Sequence, residues 1–123
     1  MQHNYSFDCV ILLIQGEIKM IEKVFKMSSS DLHVIEPVIK DENIHFMHMV
    51  LGEGESLKTH YTNANLYMTV VKGILSLSLQ DEPFKKYEKG TILRIPINIK
   101  MNAQNHDKEI LELYVVKAPK PEN

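Results

Sequence analysis

His60 and Thr62 stand two residues apart, a spacing that puts both side chains on one face of an extended strand. An imidazole can serve there as a general base or as the donor that orients a ligand. The hydroxyl two positions on can accept from it or donate to it. The chain also holds seven methionines. Their thioethers are soft donors that suit Cu(I), and they are also flexible core filler. Activated acid–base chemistry at His60 would need a carboxylate of the same parity close by, and none stands near it in the sequence. Of the other candidates, His106 sits in the polar turn Asn105–Lys108, and His33 sits near a strand that Pro37 marks as an edge. Cys9 has no histidine in a nucleophile arrangement, and His3 lies close to it at the N-terminus.

The elements that must position these residues read as short strands. Ile21–Met27 and Ile44–Leu51 alternate. Leu66–Val71 is a dense β-branched and aromatic run ending at Gly73. Ile74–Leu79 alternates strictly, as a half-buried strand does. Tyr87, Thr91–Ile95, Ile97–Ala103 and Ile110–Val116 complete the series. Asp81-Glu-Pro83 and the Gly52–Glu55 segment supply turn chemistry. Strands at such regular spacing predict an all-β sandwich or barrel.

Composition bounds the function. A chain of 123 residues with formal net charge −2 fits one small domain and has no basic field for nucleic acid. Its interleaved charges give no polybasic patch for a membrane surface. The single cysteine precludes an internal disulfide, so a reducing, cytoplasmic setting is expected. The run Cys9–Ile14 is too short to span a bilayer and lacks the flanks of an export signal. Gly16-Glu-Ile-Lys19 can be encoded by a purine-rich ribosome-binding sequence ahead of Met20. Residues 1–19 are therefore read as an N-terminal extension that either precedes the true start or adds an edge strand. Residues 20–118 are read as the barrel and 119–123 as a polar tail.

The spacing of Gly54, His60 and Gly73 matches the motif G-x5-H-x-H-x3,4-E-x6-G. That of Gly90, Pro96 and Asn105 matches G-x5-P-x-G-x2-H-x3-N. These are the two signatures of the cupins, and from Ile21 to Lys117 the chain resembles a small single-domain cupin. The resemblance implies an all-β double-stranded β-helix, a jelly-roll barrel. It also implies a site where three histidines and a glutamate hold iron, manganese, nickel or zinc. Here Thr62, Leu66 and Met101 stand at three of those positions and His60 alone remains. One imidazole does not hold a first-row divalent ion tightly, so no metal cofactor is expected. A transition metal ion on His60, with the methionines as soft ligands, is the alternative.

If the resemblance holds, strand parity turns His60, Thr62, Leu66, Met68, Met101, Met47, Met49 and Leu113 toward the interior, with His45 near the mouth. Phe46, His48 and Val50 then pack on the outer face. The expected pocket is apolar and methionine-rich, suited to a small apolar or aromatic ligand, unless the side chains simply fill the barrel. The function expected is ligand binding or a structural role rather than catalysis, with a metal-dependent isomerase or dioxygenase as the alternative. Tyr67, Thr69 and Val71 make the outer face of their strand apolar as well. Such a face needs a cover, either a second chain or the N-terminal strands, and the resemblance implies a homodimer through a sheet face.

Overall fold

The computed structural model describes residues 12–14, 17–29 and 31–122. Its strands are β1 (Leu12–Ile14), β2 (Glu17–Lys19), β3 (Val34–Lys40), β4 (His45–Leu51), β5 (His60–Tyr61), β6 (Leu66–Lys72), β7 (Ile74–Leu79), β8 (Lys85–Glu88), β9 (Ile92–Ile95), β10 (Lys100–Gln104) and β11 (Leu111–Lys117). No helix occurs among the described residues. Among the described residues β1 and β2 pair only with each other. The others form a four-stranded sheet, β5-β10-β7-β8, and a five-stranded sheet, β3-β4-β11-β6-β9. Their strand pairs are antiparallel throughout. From β4 onward the chain passes back and forth between the sheets, with only β7 and β8 consecutive in one. This is the double-stranded β-helix that the motif spacing implies.

Alternation decides what lies between the sheets. Met49 and Leu51 on β4, Leu66, Met68 and Val70 on β6, and Leu111, Leu113 and Val115 on β11 bury one face of the larger sheet. Leu75 and Leu77 on β7 and Met101 and Ala103 on β10 meet them from the smaller sheet. These residues form one cluster, which supplies the hydrophobic stabilisation of the barrel.

The motif residues act in the turns. Gly73 joins β6 to β7 with φ +81, and a Cβ there would lie 2.4 Å from the Ile110 carbonyl oxygen. Only glycine accepts both the left-handed backbone and that approach. Asn98 stands where the second motif has its own glycine, and it takes the left-handed conformation too, with φ 68. Asparagine tolerates this region better than other non-glycine residues. Asn105 is fully buried. Its Nδ2 donates to Leu51 O at 3.0 Å and Glu109 O at 2.9 Å, and its Oδ1 accepts from Asp107 N at 2.9 Å. Its carbonyl accepts from Gly54 N at 2.9 Å, which fastens the second motif to the first.

Two strand expectations are corrected. Ile21–Met27 forms no strand and runs as an extended strap, with Ile21 91% exposed. Its neighbour β3 is an edge strand in which Pro37 lacks an N–H, and the ladder slips between Pro37 and Ile39. Such an edge is a poor template for another strand. The run Ile97–Ala103 yields strand only from Lys100, because Asn98 and its neighbours form the turn before β10.

The strap lies over the outer face of β3 and β4. Val24, Phe25 and Met27 line a shallow groove there with Ile39 and Phe46, and Ser29 and Asp31 approach Val50 and Glu112. His48 and Val50 are buried on this face. Beyond the strap, Tyr67 and Ile92 remain exposed on β6 and β9. Cys9 and His3 lie outside the described residues.

Candidate functional site

Short β5 brings His60 opposite Met101 of β10, and the chain then turns inward through Thr62. At this end of the barrel a cavity of about 40 Å³ is lined by Met49, Leu57, His60, Thr62, Asn63, Leu66, Met68, Met101, Val115 and Lys117. It therefore gathers six of the residues that parity turned inward: His60, Thr62, Leu66, Met68, Met101 and Met49. Met47 instead packs partly buried against the core cluster, and Leu113 is fully buried within it. Neither lines the cavity.

The two polar residues differ in what they can offer. Thr62 is buried, and its hydroxyl donates to Pro96 O at 2.7 Å while accepting from Ile99 N at 2.9 Å. Its backbone pairs with the same turn, N to Ile99 O and O from Asn98 N, both at 2.9 Å. The side chain thus anchors the turn before β10 and has no proton left for His60. His60 is exposed at the cavity mouth rather than enclosed. Its Nδ1 donates to Lys58 O at 2.8 Å, which aims Nε2 as the ring's available nitrogen.

The donor set does not fit the metal that the motifs would bring. Of the four ligand positions, His60 keeps an imidazole, Thr62 has its hydroxyl committed, and Leu66 and Met101 are buried hydrophobic residues. Among the described residues no three histidine, cysteine, aspartate or glutamate side chains converge so as to hold a metal ion.

Lys117 was not singled out from the sequence. It continues the parity of Leu111, Leu113 and Val115 at the end of β11, and that periodicity was the signal that could have found it. Its Nζ donates to Asn63 Oδ1 at 3.2 Å. Burial pulls its pKa below the ordinary lysine value, and the nearby Lys40 adds to the effect. Its cross-strand neighbour on β4 is His45, whose pKa is also lowered, first by burial and then by Lys40, Lys117 and Lys120. Asp41 opposes this field at His45, but its carboxylate already accepts from the Asn43 and Ile44 amides. Three lysines, Lys40, Lys117 and Lys120, thus act on this end of the barrel, with Asp41 as the carboxylate that opposes them at His45.

A wider groove of about 730 Å³ adjoins the cavity through Asn63. Asn65, Ile97, Asn98 and Lys120 are among its walls, with Glu42 and Glu122.

No family model matches the chain. It is 38% identical over 103 residues to an uncharacterized protein of Methanocaldococcus jannaschii, covering 83% of this chain and 89% of that one. A crystal structure from the same organism, described as an RmlC-like cupin family protein with a double-stranded beta-helix fold, is similar with a TM-score of 0.79 and 37% identity. That match covers 82% of this chain and 94% of the other. A cupin superfamily protein from Desulfitobacterium hafniense shares the fold at a TM-score of 0.64 and 8% identity, over 76% of this chain and 83% of that one.

Proposed function

This chain belongs to the RmlC-like cupin family, and from that premise we propose that it is a stand-alone cupin that binds a small, mainly apolar molecule at the barrel mouth without a metal. The observation carrying this reading is the replacement of three of the four ligand positions by Thr62, Leu66 and Met101, beside a cavity walled by three methionine side chains. Those thioethers are flexible and polarizable, so the walls can adapt to an entering ligand. His60 Nε2 at the mouth supplies the orienting hydrogen bond.

The size of the cavity favours a second reading, in which the barrel is filled and its role is structural. Small-molecule pockets run to about 300–1,000 Å³, and this one is about 40 Å³. The two readings separate in proton–carbon spectra of protein labelled at the methionine methyls, titrated with small alcohols and phenols. Binding at the mouth shifts the Met49, Met68 and Met101 signals to saturation and leaves those of Met20 and Met27 in place. No saturable shift overturns the binding reading.

Two further parts of the reading concern its setting. A homodimer would cover Tyr67 and Ile92 on the outer face of the larger sheet, the latter 67% exposed, and sedimentation at micromolar concentration tests it. A cytoplasmic setting suits a chain with one cysteine. No helix among the described residues is long and apolar enough to cross a membrane.

A further inference from the structure

Lys117 is an unusual wall for an apolar cavity. Its stem runs along the buried face of β11 while its ammonium meets a neutral carboxamide, that of Asn63. Among the described residues no carboxylate lies within ion-pair distance of it. Lys40 acts on it directly. Lys120 acts with both on the neighbouring His45, whose lowered pKa favours the neutral ring, and Asp41 opposes them there with its carboxylate bonded to the Asn43 and Ile44 amides. His60 faces the same cavity. Glu42 and Glu122 line only the outer groove. A half-buried cation in such surroundings is poorly solvated and lacks a counter-charge. An anion entering the mouth would supply one, in a site where water screens the pair less than at an open surface.

We propose that this site selects a short-chain carboxylic acid, with its carboxylate held by the Lys117 ammonium and its hydrocarbon tail directed toward Met49, Met68 and Met101. The inference rests on the binding reading above and adds the ligand's charge. Several observations favour a small monoanion over other ligands. The cavity is small, and thioether and hydrocarbon side chains line it together with the polar His60, Thr62, Asn63 and Lys117. A neutral ligand would leave Lys117 without a counter-charge. A dianion or phosphate would need a second dedicated cation, whereas among the described residues Lys117 is the one lysine or arginine that lines the cavity.

The test uses butanoate and butan-1-ol on the full chain, read from the methionine methyl signals. Butanoate is expected to bind at least about tenfold more tightly than the alcohol. Lys117→Gln should bring butanoate down to the alcohol's level, and Lys117→Arg should restore the preference. Because the lysine pKa is lowered, butanoate binding should weaken as pH rises through the folded-state value, below the ordinary 10.5. If the two compounds bind equally and Lys117→Gln alters neither, the charge selection is wrong while the apolar pocket stands. If neither compound moves the methionine signals, the pocket and the charge selection fall together.

Discussion

His48 Nδ1 lies 2.7 Å from Glu36 Oε2, on the outer face of the larger sheet, where His48 is only 1% exposed. Its other nitrogen, Nε2, lies 2.7 Å from Glu112 Oε2. A carboxylate oxygen can accept from each ring nitrogen, so the protonated imidazole donates to both glutamates at once. The Tyr114 ring closes one side, edge-on at 5.9 Å. Glu36 Oε2 also accepts from Ser28 N at 3.0 Å and Ser28 Oγ at 2.9 Å, so the same carboxylate fixes the strap to β3.

Burial pulls the His48 pKa down, but its hydrogen bonds to Glu36 and Glu112 outweigh it, and the net shift is upward from 6.5. The hydrogen bond from His48 comes first, followed by those from Ser28, in lowering the Glu36 pKa from 4.5. A raised histidine stabilises fully below its unfolded value and loses that contribution as pH climbs through the folded one. A lowered glutamate stabilises above its unfolded value and loses that contribution as pH falls through the folded one. This cluster should therefore contribute most between pH 4.5 and pH 6.5. Urea midpoints should decline on the alkaline side of that window, and His48→Gln should flatten the decline. An unchanged profile in the variant would remove the cluster from the account.

Removing His48 also leaves two carboxylates facing each other across the space it filled. His48→Ala should cost about 2–3 kcal/mol at pH 6 by urea unfolding. Glu36→Gln should cost less, because the amide can still accept from Ser28 or His48.

Gly73 and Gly90 share a left-handed backbone but differ in surroundings. A Cβ at Gly73 meets the Ile110 carbonyl, whereas at Gly90, with φ +92, nothing lies within 4 Å. Gly90→Ala should cost about 1–2 kcal/mol, the left-handed penalty alone. Gly73→Ala adds backbone displacement, about 1–3 kcal/mol more. Equal losses in thermal or urea unfolding would mean that the approach to Ile110 is easily relieved.

Asn105 makes three side-chain hydrogen bonds to backbone groups. Asn105→Ala removes the side-chain partner of the Leu51 and Glu109 carbonyls and of the Asp107 amide, the first of them buried. The expected loss is about 2–4 kcal/mol, with faster hydrogen exchange at Gly54 and Asp107. A loss below about 1 kcal/mol would mean that water replaces the carboxamide.

The frame of the barrel was legible because glycine, proline and asparagine do visible work in its turns. Gly73 and Asn105 mark places where few other residues fit, and strict alternation in Ile74–Leu79 identified β7. The interior of the pocket followed from parity at Met49, Leu66, Met68 and Met101. Parity alone could not show that Met47 and Leu113 pack beyond the cavity, since inward direction does not fix depth along the barrel. Thr62 was legible as inward, yet its hydroxyl partner Pro96 lies 34 residues on. The Glu36–His48–Glu112 cluster spans three strands, and its longest pairing separates residues 64 apart. No local pattern carries such a contact. The apolar alternation of residues 21–27 suggests a strand, but the Pro37-broken edge beside them accepts none.

Metal content is the most direct measure of the central claim, that this barrel keeps the cupin frame but not the cupin cation. The full chain should be produced in medium supplemented with iron, manganese, nickel and zinc, then dialysed and assayed by elemental mass spectrometry. The account predicts only trace metal, and no change on His60→Ala. About one equivalent of a single metal per chain, surviving dialysis and lost in His60→Ala, would contradict it.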